Sequence, residues 1–156
     1  GINSTYMNYI IKASDIAQAS TGENLRFRII NASGDITASR YYGIGDGANK
    51  PYNDSDAETR WSLFNTNYAQ LTNFNGSIKT GYTSSFEMNL PNSSNANTMP
   101  SCYGQMLTDG DNGSYLVTNI FSFKSTYANT AVTGIKFYFD SYNITQGNFT
   151  LYGIKG

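Results

Sequence analysis

Apolar and polar residues alternate one by one over several separate stretches of this chain. The last 26 residues, 131–156, carry the pattern most fully: Ile135, Phe137 and Phe139 alternate with Lys136, Tyr138 and Asp140, and Phe149 and Leu151 repeat it after a polar loop. A period of two marks a strand with one buried face. Two such runs around an Asn- and Gly-rich loop predict a closing β-hairpin. Leu25, Phe27 and Ile29 face in while Arg26 and Arg28 face out, and Phe86, Met88 and Leu90 form a third inward set before Pro91. Residues 6–13, 36–44, 101–107 and 115–123 read as further strands; apolar character resumes at 61–64, and a short strand or two lies within 68–78. Residues 14–19 fit one helical turn or a bent connection. Asp109-Gly110-Asp111-Asn112-Gly113 is strong hairpin-turn chemistry, because Asp-Gly and Asn-Gly supply positive φ cheaply. Two polar segments, 45–58 and 92–100, read as long loops, and a long loop in a compact domain is functional or mobile. Eight to ten short strands separated by turns predict an all-β antiparallel sandwich of jelly-roll type, with little helix.

Composition sharpens this picture. With 156 residues the chain is expected to be a single domain, able to bury roughly 70% of its unfolded surface without staples. Charged residues make up 13%, against a usual share of about 25%. Asn, Ser and Thr supply a third of the chain, and 13 Tyr and 9 Phe dominate the apolar set. Neutral amides and hydroxyls therefore cover the surface, and Tyr, Phe and Thr suit pleated, half-buried faces. A net charge of -1 with scattered basic residues argues against nucleic acid as partner. No apolar run approaches the roughly 20 residues of a membrane span. The opening, Gly1-Ile2-Asn3-Ser4, has neither the basic start nor the apolar core of a signal peptide, and reads as a cut from a longer chain.

Candidate chemistry is sparse. There is no His, which removes the commonest general base and transition-metal ligand. Cys102 is single, so it forms no internal disulfide and lacks a base to activate it; a small buried thiol is expected. Asp54, Asp56 and Glu58 alternate in a way that suits Ca²⁺, but the twelve-residue calcium-loop pattern is absent, and a solvated acidic loop explains them better. The same weighing favours the hairpin over a calcium loop at Asp109–Gly113. Nothing places two carboxylates across a cleft as glycoside hydrolysis requires, so no enzyme is expected. The triplets beginning at Asn31 and Asn143 match glycosylation acceptors, at a frequency that so much Asn, Ser and Thr produces by chance. Tyr41, Tyr42, Tyr52 and Trp61 flank the first long loop and are the receptor-contact candidates, since such rings offer an apolar body with a polar tip. A core position accounts for Trp61 better than receptor contact does. Tyr138, Tyr152 and Ile154 occupy what should be the polar face of the closing hairpin, and predict that a loop of the same chain or a neighbouring subunit covers it, which makes them the oligomer-interface candidates.

Both ends of the chain carry a resemblance. The string VTGIKFYFDSYNITQGNFTLYGI at 132–154 is similar to a recurring end of bacteriophage tail-fibre and other virion-surface proteins. YMNYIIKA at 6–13, followed by NLRFRI at 24–29, resembles the first strands of that group, in the same order. Residues 42–101 carry no comparable match. The resemblance implies a β-sandwich module of a longer fibre or virion protein, exposed on the virion surface, often distal and trimeric, touching the host. It implies partners among host-surface glycans or proteins and other virion proteins, and it supplies no catalytic residues and no cofactor. Two other roles fit the same residues: a capsid decoration or assembly domain, and a carbohydrate-binding module of a secreted bacterial protein. For the host-binding reading, loops 45–60 and 92–100 are the expected receptor-facing surface.

Overall fold

A computed structural model describes residues 1–19, 23–51, 57–72, 83–109, 115–126 and 130–155. Eleven strands run through them: β1 (Asn8–Gln18), β2 (Leu25–Asn31), β3 (Gly34–Asp35), β4 (Tyr41–Pro51), β5 (Ala57–Thr66), β6 (Ala69–Gln70), β7 (Ser84–Leu90), β8 (Ser101–Asp109), β9 (Tyr115–Ser125), β10 (Gly134–Phe139) and β11 (Ile144–Ile154). Seven form one sheet in the order β11-β1-β7-β8-β9-β4-β5; β10, β2 and β3 form the second, with β6 also on β2. Every pairing is antiparallel. The chain is an all-β antiparallel sandwich, as its alternation predicts.

The alternating residues meet between the sheets. From the small sheet come Leu25, Phe27 and Ile29, paired with Phe139, Phe137 and Ile135. From the large sheet come Tyr9, Ile11, Phe86, Met88, Met106, Phe121 and Phe123. A row of aromatic rings crosses the core. Trp61 packs on Phe123 at 5.5 Å, Phe123 meets Phe27 edge-on at 5.3 Å, and Phe137 links Phe27 at 6.1 Å to Phe86 at 5.0 Å.

Four expectations are corrected. β10 and β11 are not a hairpin. β10 pairs with β2 and β11 with β1, so the chain passes from one sheet to the other between them. The inward faces of two strands on opposite sides of a core show the same period of two as a hairpin does, so alternation could not separate the cases. Phe137 and Phe149 show the difference, stacking across the core at 5.4 Å and 26°. Within the segment 45–58, residues 45–51 and 57–58 are strand, not loop, and 52–56 lie outside the described residues: β4 and β5 pair from Tyr41↔Thr66 to Asn49↔Ala57. Residues 14–18 continue β1 through a bulge, with Asp15 at φ 55° and register slips on both sides. The strand expected from Ile36 begins only at Tyr41, although Ile36 is buried.

Candidate functional site

The sequence candidates do not assemble into one platform. Tyr41 faces inward and is fully buried. Its hydroxyl accepts from the Ile29 N–H at 2.8 Å and donates to the Ile36 carbonyl at 3.1 Å. Burial pushes its pKa up to about 12, against the smaller opposing effect of the Ile29 hydrogen bond. It ties β4 to the small sheet and offers nothing to a receptor. Trp61 also faces inward, opposite Gly45, where its indole occupies the space a Cβ would need. Gly43 makes the same room for Phe123. Of the described candidates Tyr42 alone reaches the outer face, half-buried, edge-on to Phe64 at 5.1 Å. Tyr52, Asp54 and Asp56 lie outside the described residues; Glu58 lies in β5, opposite Ala48. No group of three or more potential metal ligands occurs among the described residues. Asp109 ends β8, and the turn at 110–113 lies outside the described residues.

Cys102 is buried on the inner face, and desolvation pushes its thiol pKa well up. The segment 92–100 is a loop pinned at several points. Asn92 donates its N–H to Asn8 Oδ1, Ser94 donates its hydroxyl to the Tyr6 carbonyl, and the Ser93 carbonyl accepts from the Val132 N–H. The proposed interface trio is split. Tyr138 lies on the outer face of the small sheet, paired with Arg26 and 5.1 Å beneath the Arg28 guanidinium. Tyr152 and Ile154 lie on the outer face of the large sheet, opposite Ile10 and Asn8. The sandwich stands between them, so they form no single patch.

The outer face of the large sheet, where Tyr42, Tyr152 and Ile154 lie, is a surface that sequence reasoning did not assemble as a whole. Strand register lines its side chains into cross-strand rows. One row reads Tyr152, Ile10, Asn89, Tyr103, Ser122, Ile44, Ser62. The next reads Thr150, Lys12, Glu87, Gln105, Ile120, Asp46, Arg60. Apolar side chains stand far into solvent here: Phe64 is 81% exposed, Ile44 and Ile120 67%, Tyr103 54%. Short Ser122 and Ser62 separate the larger groups, leaving a depression of ≈ 600 Å³ between Tyr103, Ile120, Ile44 and the Asp46–Arg60 pair. A hollow of ≈ 240 Å³ continues between the same rows past Glu87 and Gln105, and one of ≈ 510 Å³ lies a row further on, between Lys12, Thr150, Ser85 and Leu107.

The charges bordering these hollows cancel locally, while the exposed Lys124 lies farther along the same face beside Tyr42. Lys12 meets Glu87 at 2.9 Å and Arg60 meets Asp46 at 3.4 Å, all of them exposed. The Glu87 carboxylate holds the Lys12 ammonium above its ordinary pKa. Exposed pairs of this kind add little to stability. Their donors and acceptors remain accessible to a ligand. The signal for the site was present in Gly43-Ile44-Gly45-Asp46-Gly47: glycines at alternate positions leave Ile44 and Asp46 on one face. Comparison with protein families, curated proteins and solved structures finds no match for this chain.

Proposed function

We propose that this chain is a non-enzymatic recognition module carried on a bacteriophage virion, as a domain of a tail or head fibre, and that it binds a host-surface receptor through the outer face of its seven-stranded sheet. One observation carries the receptor reading. Exposed apolar groups are interleaved with neutralised polar pairs around a hollow whose volume suits a bound molecule. Patches of exposed apolar side chains rimmed by polar ones mark interaction sites. The site stands on strands of a rigid sheet, so its geometry is set before the receptor arrives. The resemblance of both chain ends to virion-surface proteins supports the setting. Soluble chain should compete with intact particles for adsorption to host cells, and substitution of Ile120 by Asp should remove the competition. Undiminished competition by Ile120→Asp moves the receptor site elsewhere.

A second reading, an assembly domain, has its own observation. β11 is an edge strand of 11 residues without a charged side chain, exposed from Thr145 to Ile154. Uncharged apolar edges invite pairing with another chain. The other edge of the sheet, β5, carries Glu58 and Arg60. A fibre trimer accommodates both readings, with β11 in assembly and the outer face towards the host.

A further inference from the structure

We infer that the receptor ligand is a neutral, linear oligosaccharide lying across the strands of the large sheet, with one sugar ring seated in the hollow between Tyr103, Ser122 and Ile44. The inference rests on the receptor-module reading above and gives it a ligand class. Charge is the first argument. Each cation bordering the hollows is matched by a carboxylate on the adjacent strand, Lys12 by Glu87 and Arg60 by Asp46. An acidic polysaccharide or a nucleic acid would meet as many repulsive groups as attractive ones, so electrostatic complementarity selects against both.

The chemistry of a sugar ring is the second argument. Its C–H faces are apolar and its rim carries hydroxyls that both donate and accept. The surface supplies both kinds of contact within one hollow. Tyr103 offers an aromatic face, and Ile44 and Ile120 offer aliphatic contact. Asp46 can only accept and Arg60 can only donate, so together they can hold a pair of neighbouring hydroxyls. The serines leave depth for a ring between them.

Direction is the third argument. The first two hollows follow the same pair of cross-strand rows, and the third continues across the strands one row further on, so the path crosses the strands obliquely rather than running along them. Neighbouring strands lie about 4.8 Å apart, so seven strands present a row about 29 Å long, enough for a chain of several sugars. A second copy of this protein packed face to face would need about 800 Å² of complementary surface on each side. The alternation of Tyr103, Ser122, Ile44 and Ser62 leaves that surface uneven, and the exposed ion pairs would have to be desolvated.

The test uses the 156-residue chain on an array of neutral linear oligosaccharides with uronic-acid and sialylated counterparts. In parallel, binding to a panel of bacterial cells is read before and after periodate cleavage of their surface diols. The expected result is binding to neutral members only, with cell binding lost after periodate. Tyr103→Ala should weaken it about tenfold by removing the stacking face, and Ser122→Phe should abolish it by filling the hollow. Both positions are exposed, and circular dichroism checks that each variant folds. Cell binding that survives periodate, with a blank array, identifies a protein receptor and overturns the oligosaccharide while leaving the module reading intact. Binding to no cell at all overturns the module reading itself. Sugar binding unchanged in both variants, or self-association through this face, also overturns the inference.

Discussion

Tyr41 shows how much a single side chain decides here. A Tyr beside another Tyr and a polar segment reads as a recognition residue, yet its neighbours put it in the core. The bond from Ile29 and the bond to Ile36 satisfy two backbone groups that would otherwise be buried without partners. Tyr41→Phe should therefore lower stability by about 1–3 kcal/mol, measured by urea denaturation. The same burial sets a pH dependence. The folded pKa, about 12, lies above the ordinary 10.0. Between those values the unfolded chain gives up this proton and the folded chain keeps it, so Tyr41's contribution is complete below pH 10 and is lost as pH rises through about 12. Tyr41→Phe should make the alkaline decline shallower; an unchanged slope would mean that Tyr41 is not the residue responsible. Cys102, held as thiol by desolvation, should resist a disulfide reagent in the folded chain and react once urea unfolds it. Rapid modification of the folded chain would contradict its burial.

At the scale of elements, alternation was legible wherever both faces announced themselves. Leu25 to Ile29 and Ser84 to Leu90 needed no correction, because branched or aromatic residues alternate there with charged or small polar ones. β4 was illegible for a physical reason. Gly43 and Gly45 are among its inward residues, and glycine disfavours a strand unless another side chain needs the room. That need comes from Trp61 and Phe123, on neighbouring strands, which no local window reveals. The same dependence on distant partners hid the split between β10 and β11. The proposed receptor surface was missed because polar segments were expected to be loops, and outward apolar residues such as Ile120 were not weighed against the face they share with Ile44. Trp61 now belongs to the core account. Gly45→Val should cost about 1–3 kcal/mol through overpacking against its indole. Trp61→Leu should lower the melting temperature while leaving attachment to cells unchanged; lost attachment with an intact fold would restore Trp61 as a receptor contact.

The whole molecule has two surfaces that a lone sandwich would not be expected to leave open: the outer face of the large sheet and the β11 edge. The edge predicts self-assembly. Light scattering should give a multiple of 17.1 kDa, threefold under the fibre reading, and Leu151→Lys with Tyr152→Lys should return it to 17.1 kDa. A monomeric wild-type chain would remove assembly from this domain's role. The outer face carries the central claim, that this module holds a host receptor, and adsorption competition tests it most directly. Host cells are incubated with soluble chain before particles are added, and bound particles are counted. Wild-type chain should block adsorption in proportion to its concentration. The Ile44→Asp, Ile120→Asp double variant, folded by circular dichroism, should leave adsorption untouched. Equal blocking by both chains, or by neither, contradicts the account.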